Sequence, residues 1–257
     1  MNPQEQWVAF TTIVVKEVRR FTRIWLQTLL PPAITIVLYF VIFGTLIGPR
    51  IGKMSGFSYI EFVVPGLIMM SVITNSYSNV VSSFFGTKFQ RSVEELLVSP
   101  VPNYIILLGY VVGGVARGLM IGLIVTLLSL FFTDLQVSHV PVTVGIVFLT
   151  AVLFALAGFI NAVFANSFDD ISIIPTFVLT PLTYLGGVFY SIDMLPEFWQ
   201  GVSLVNPILY MVNTFRYGLL GVTDINVAWA FAMVTGFCVL LFVFSLYLLD
   251  HGKKLRS

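Results

Sequence analysis

Between Arg23 and Arg50 the chain runs for 26 residues without a charged side chain, and four comparable stretches follow. They lie between Glu61 and Lys88 (26 residues), Asp134 and Asp169 (34), Asp170 and Asp193 (22), and Asp224 and Asp250 (25). A sixth, from Glu95 to Asp134, is broken by Arg117 alone. A hydrocarbon core of roughly 30 Å takes about 20 apolar helical residues to cross. Within lipid the backbone satisfies its N–H and C=O groups only as a helix or a closed barrel. These runs show no apolar–polar alternation and exceed the length of a barrel strand, so they predict helices. The expected fold is all-α and membrane-embedded, with six transmembrane helices at about 29–47, 62–84, 103–132, 141–164, 171–191 and 226–249.

Composition agrees: 10% of residues are charged, far below the roughly 25% of soluble domains, and mean hydropathy is +0.97. A net charge of +1 gives no global field to recruit nucleic acid, so no nucleic-acid partner is expected. Cys238 is alone and cannot form an intrachain disulfide. The N-terminus lacks the basic n-region and small-residue cleavage site of a signal peptide. The 257 residues are read as one membrane domain with no room for a soluble catalytic unit. Within it, 1–25 is an interfacial helix, 86–102 a cytoplasmic loop and 192–225 an extracytoplasmic loop.

Orientation follows from Lys and Arg. With the N-terminus cytoplasmic, the inside collects nine: Lys16, Arg19, Arg20, Arg23, Lys88, Arg91, Lys253, Lys254 and Arg256. The outside collects three, Arg50, Lys53 and Arg216. Positive charge concentrates on the cytoplasmic side of membrane proteins, so both termini are expected there.

Several segments are candidates for function. Trp7, Phe10, Val14, Val18, Phe21 and Trp25 recur at steps of three and four, with the basic residues off that face. This describes a helix lying in the headgroup layer, either as a topology anchor or as a lever that a partner can push. The loop from Gly86 to Pro102 is the most polar stretch. Ser92 is a candidate N-cap, Glu94 and Glu95 fall in the first turn, and Pro100 ends a short helix whose Leu96, Leu97 and Val98 are apolar yet outside the bilayer. That combination suggests a docking surface, against the alternative of a loop helix packed on its own bundle. Asn166–Asp170 reads as a solvated hairpin turn in which Asp169 or Asp170 caps the next helix.

Arg117 stands 14 residues into the third span, roughly 21 Å along it. A charge at that depth costs at least about 2.5–3.5 kcal/mol unless paired or wetted. It is expected to face the bundle interior, with Asn75, Asn161 or an unwound carbonyl as partner, as a strut or as part of a pathway. Gly109 and Gly113, then Gly114, Gly118 and Gly122, are spaced for close helix contact. Gly186–Tyr190 invites unwinding at the outer end of span five, so Tyr184, Phe189 and Tyr190 join Asn75 and Arg117 as candidate pathway residues. Beyond it, Pro196, Trp199, Asn206, Pro207, Tyr210 and Arg216 mark two proline-started apolar pieces, either re-entrant helices or an amphipathic outer cap.

Neither Gly52-Lys53 nor Gly252-Lys253 fits a phosphate-binding loop, and His139 and His251 lie at opposite ends of the topology. No catalytic, cofactor or metal site is expected, and any energy source must come from elsewhere. The rival classes are a stand-alone carrier or channel driven by an ion gradient and a structural scaffold.

Four stretches, in this order on a six-span chain, resemble a known family: Phe57–Met69, Lys88–Pro100, Phe168–Pro181, and Gly186–Tyr190 through Asn206, Pro207, Tyr210 and Arg216. The chain is similar over essentially its whole length to the membrane subunits of ATP-binding-cassette type-2 exporters, most closely to bacterial inner-membrane permeases of the YadH kind. The resemblance implies a coupling helix at Gln90 to Ser99, in which Gln90, Arg91, Glu94, Glu95, Leu96 and Leu97 meet an ATPase subunit. It also implies re-entrant helices across 193–220, a second copy of the chain, and ATP and Mg bound only by the partner ATPase. The expected setting is the bacterial inner membrane with its lipid, and the expected cargo is amphipathic or lipid-linked.

Overall fold

The computed structural model describes residues 1–252; Lys253, Lys254 and Arg256, counted above for orientation, lie outside them. Five helical runs are long and apolar enough to cross a membrane: Trp25–Ile51, Tyr59–Phe89, Asn103–Ser129, Val140–Phe164 and Val227–His251. The only sheet among the described residues is a two-residue hairpin. Ahead of the first run, Asn2 and Glu5 form a capping box that starts helix α1 (Pro3–Arg23). The first run is broken into α2 (Trp25–Thr28), α3 (Leu30–Phe40), a π-helical piece (Val41–Ile47) and α4 (Gly48–Ile51). Pro31 and Pro32 occupy the first turn of α3, where their missing N–H groups cost nothing.

Between this run and the next comes a hairpin that sequence reasoning left as loop. Strands β1 (Lys53–Met54) and β2 (Phe57–Ser58) pair antiparallel, and Ser55 and Gly56 turn the chain with φ of 50° and 89°. Two positive φ values are what a tight hairpin turn demands. Ser58 then caps α5 (Tyr59–Phe89), with Glu61 returning a bond to the Ser58 N–H.

Helix α5 is the axis of the protein. It packs along α7 (Asn103–Ser129) and α8 (Val140–Phe164), after the short α6 (Ser92–Val98). Its exposed or half-exposed positions within the span, Met70, Thr74, Ser78 and Ser82, fall four apart on one line. Glycines on α7 set the packing distances. Gly114 and Gly118 lie against Val80 and Ser76 of α5, whereas Gly109 and Gly113 lie against Ile13 and Glu17 of α1. The glycine spacing therefore serves two neighbours on adjacent faces of one helix.

The expected fifth span is shorter than 171–191. It consists of α9 (Asp170–Ile174), a π-helical piece (Pro175–Leu179) and α10 (Thr180–Tyr184), a continuous rod of about 22 Å at 1.5 Å per residue. Gly186 and Gly187 follow α10, Gly187 with φ of 69°, so the helix gives way at Leu185 to a run of turns and bends through Tyr190. A one-turn 3-10 piece (Ile192–Met194), α11 (Glu197–Val205) and α12 (Pro207–Leu220) lead to α13 (Val227–His251). The Trp25–Ile51 run and α13 are largely exposed apolar rods, as surfaces toward lipid or a partner helix must be.

Candidate functional site

The loop that sequence reasoning singled out forms α6, one residue shorter at its end and two at its start than Gln90–Ser99. Ser92 does not cap it. Arg91 occupies the cap position in the left-handed region (φ 61°), and the Ser92 hydroxyl instead donates to the Thr87 carbonyl at 3.2 Å. A left-handed Arg lets α5 end and α6 start within three residues, which leaves no room for an extended cap residue. Val93 is buried, while Glu94, Glu95 and Val98 face outward and Leu96 and Leu97 are half-buried. The root of α6 is tied down by Lys88, whose Nζ donates to the carbonyls of Val163 and Ala165, both at 2.7 Å. A cation at a helix C-terminus satisfies orphan carbonyls and complements the dipole of α8.

The neighbouring turn is equally fixed. The Asp170 carboxylate accepts the Asn166 and Ser167 N–H groups at 2.8 and 3.1 Å, and the Asp170 N–H donates to the Ser167 hydroxyl. The Asn166 N–H leads the interactions that hold the Asp170 carboxyl below the usual carboxylate range, followed by Ser167, with Lys88 adding to them. Asp169 serves no cap.

Helix α1 does not rest on the rest of the protein by its aromatic face alone. It buries Ile13, Glu17 and Phe21, one residue per turn, and leaves Trp7 exposed, as is Trp25 at the start of α2. Glu17 is fully buried. It accepts the Ser83 hydroxyl at 2.7 Å and lies 3.5 Å from Arg20 Nε. Arg20 in turn donates to the Asn79 carbonyl and side-chain oxygen, both at 2.8 Å. Sequence reasoning missed Glu17, Arg20, Asn79 and Ser83 as a unit. The signal was present: Glu17 sits four residues from both Ile13 and Phe21, on the face that must be buried. An open groove of about 410 Å³ separates α1 from α6, floored by Ile13 and Leu96 and edged by Glu95.

One turn further from α6 along α5, Arg117 donates to the Asn75 side-chain oxygen at 3.3 Å and to the Thr28 carbonyl at 3.2 Å. That carbonyl is at the break between α2 and α3. Asn161, the other side chain weighed as a partner, bonds the Ile171 carbonyl instead. Arg117 and Asn75 line a cavity of about 400 Å³ together with Gln27, Thr35, Tyr39 and Thr74. A second cavity, of about 200 Å³, lies across Met70, Thr74 and Ser78 against Pro175, Thr176 and Thr180. The exposed stripe of α5 thus separates and lines both.

Near the end of α5 opposite α6, Phe189 gathers rings from Phe43, Tyr184 and Tyr39 at centroid distances of 4.9, 5.9 and 6.1 Å. Tyr39 also lines the Arg117 cavity, so it joins Tyr184 and Phe189 to Asn75 and Arg117. Tyr39 and Phe43 escaped sequence reasoning because nothing distinguishes them from lipid-facing aromatics of an apolar run. Tyr190 points elsewhere, with no ring contact among those described. Gly66 lets the unwound chain pass, since a Cβ there would meet the Val188 carbonyl oxygen at 2.7 Å.

Arg216, counted as an outside charge, is only 1% exposed. It donates to the carbonyls of Gly187 (2.7 Å) and Phe62 (3.2 Å) and to Asn213 Oδ1, and it lies 3.8 Å from the Phe62 ring centroid. Asn206 caps α12 through the Ile208 N–H and donates to the Leu182 carbonyl at 2.6 Å. Tyr210 donates to the Leu204 carbonyl, while Pro196 and Trp199 remain exposed.

Comparison with known proteins is consistent throughout. The sequence pattern of the ABC-2 type transporter family matches residues 8–220. The inner membrane transport permease YadH of Escherichia coli (strain K12) is 61% identical over 252 residues, covering 98% of both chains. The nodulation protein J of Rhizobium leguminosarum bv. viciae is 25% identical over 218 residues, covering 83% of both. With a chain-long relative at that identity and the family pattern across most of its length, this protein belongs to the ABC-2 type transporter family and is a membrane permease of that family.

Proposed function

We propose that this permease forms an export pathway as a dimer of two copies, each recruiting a separate ATPase subunit that binds the ATP and Mg, and that it has no ATPase site of its own. The observation that carries this reading is α6. Its root is clamped by Lys88 and the buried Val93, while Glu94, Glu95 and Val98 face outward beside the groove under α1. A short helix held rigidly at its base and bare at its tip transmits a push rather than absorbing it. Gln90, Arg91, Leu96 and Leu97 complete the surface, and α1 is a second contact.

In this reading the Asp170–Tyr184 rod and its continuation through turns to Ser191 make a sixth, short span. The α11 and α12 pieces then re-enter the outer leaflet, and both termini are cytoplasmic in the inner membrane of a bacterium. The route follows the α5 stripe past Asn75 and Arg117 to the closure made by Tyr39, Tyr184 and Phe189. Its lining sets Gln27, Thr35, Thr74, Asn75 and Arg117 beside Pro31, Pro32, Ile36 and Met70, a polar and apolar mixture that favours an amphipathic or lipid-linked cargo. The test is to reconstitute the permease with and without an ABC-type ATPase subunit from the same organism. Export requiring ATP and both chains is expected; export by the permease alone under an ion gradient would establish the rival carrier.

A further inference from the structure

We infer that the Arg117 cavity is a binding site for the anionic phosphate headgroup of an amphiphile drawn from the leaflet on the α1 side. The inference rests on the pathway reading above and adds its ligand chemistry. Arg117 is a cation without a counter-charge: among the described residues no carboxylate lies within 4.0 Å of it. Its two hydrogen bonds go to neutral oxygens at 3.2 and 3.3 Å, and its buried Nε has no partner. A guanidinium offers five donors in a planar fork suited to phosphate, and here most of that capacity is unused.

The surroundings add positive charge. Following α5 inward, Asn75 meets Arg117, Asn79 meets Arg20, and Ser83 meets Glu17, one turn at a time. Glu17 is the one acid of this ladder and is shared between Arg20 and Lys16, at 3.5 and 4.0 Å. Arg117 is left over.

Depth fixes the ligand. Arg19 and Arg23 on α1 are exposed, and exposed charges do not sit in hydrocarbon. The headgroup layer therefore reaches the level of α1. Arg117 lies only one turn, about 6 Å, beyond Arg20 along α5. The cavity at that level holds about 400 Å³, admits the hydroxyl or amide groups of Gln27 and Ser78, and is bordered by α3. Ile34 and Leu38 of α3 are exposed apolar surface along which an acyl tail can lie.

Binding is measurable on the purified permease in a neutral detergent, without ATPase, so a failure of ATPase association does not touch it. The probes are phosphatidic acid and phosphatidylcholine carrying the same fluorescent tail. Wild type is expected to bind phosphatidic acid about tenfold more tightly, equivalent to roughly 1.4 kcal/mol. Arg117→Gln should reduce that preference to parity, and Thr74→Leu, which fills the cavity and leaves Arg117 in place, should weaken binding without depending on the fold of the Arg117 variant. Arg23→Gln, on the exposed face of α1, should leave it intact. Competition by millimolar inorganic phosphate would identify the free anion as ligand and overturn the lipid source. No preference in wild type, or a preference lost equally in Arg23→Gln, would overturn the site.

Discussion

The Arg216 guanidinium donates a 2.7 Å hydrogen bond to the Gly187 carbonyl, at the point where the helix of the fifth apolar segment has given way to a turn. Unwound backbone in a membrane protein is tolerated where protein groups replace the lost helical bonds. Arg216 supplies one replacement and the Tyr59 hydroxyl, 3.1 Å from the Phe189 carbonyl, another. Arg216→Leu should therefore destabilise the outer half by about 3 kcal/mol or more, because several carbonyls lose their donor at once. Lys, with a point charge in place of a fork, should rescue little. Thermal unfolding in detergent reads both.

Removing Glu17 takes the acid from half-buried Arg20 and leaves the buried Ser83 hydroxyl without its acceptor, so Glu17→Ala should cost about 1–3 kcal/mol. Glu17→Ala with Arg20→Met should recover part of that loss. Melting temperatures of the two variants decide it; a Glu17→Ala protein as stable as wild type would remove the polar contact from the account of α1 docking.

A Cβ on Gly118 would run into the Ser76 hydroxyl, whereas Gly86 faces open space. Gly118→Ala should cost about 1–3 kcal/mol through overpacking, and Ser76→Gly in the same chain should restore most of it. Gly86→Ala serves as the unaffected control.

Reversing both Glu94 and Glu95 to Lys places like charge where α6 offers acid. Export coupled to the ATPase should fall by about tenfold or more, since misplaced like charges across an interface cost several kcal/mol. Insertion and thermal stability should not change, because both side chains are exposed. Unaltered docking and export in the double variant would move the coupling contact away from α6.

The depressed Asp170 carboxyl makes a pH prediction. A lowered folded value means that its contribution is complete above the ordinary value of about 3.9 and is lost only as pH falls through the lower folded value. Amide exchange at Asn166 and Ser167 should stay protected down to that window, and Asp170→Asn should expose both amides at neutral pH.

Much of this was legible in the sequence because apolar length and charge placement dictate what can sit in lipid. The runs ending in Arg50, Lys88 and Asp250 became helices, and Arg117 turned inward because lipid would not take it. The fifth segment was misjudged in length: apolar content continued to Ile192, but the Gly186–Gly187 pair limited the helix. Arg216 looked like a surface charge because its acceptors, at Phe62 and Gly187, are 154 and 29 positions away in the chain. The candidate pathway was split in the same way. Asn75 and Arg117 were joined by the cost of burying a charge, whereas Tyr39 entered only through packing, which no local pattern encodes.

The contact between α1 and the spans also sets an order of assembly. A chain is made from its N-terminus, so Glu17 exists well before Ser83, 66 residues later, and before Gly113. Until then its carboxylate has no dry place to go and must remain in water at the membrane surface. The first helix synthesised thus docks only after later ones, and its arrival marks a permease whose second and third apolar runs are already side by side.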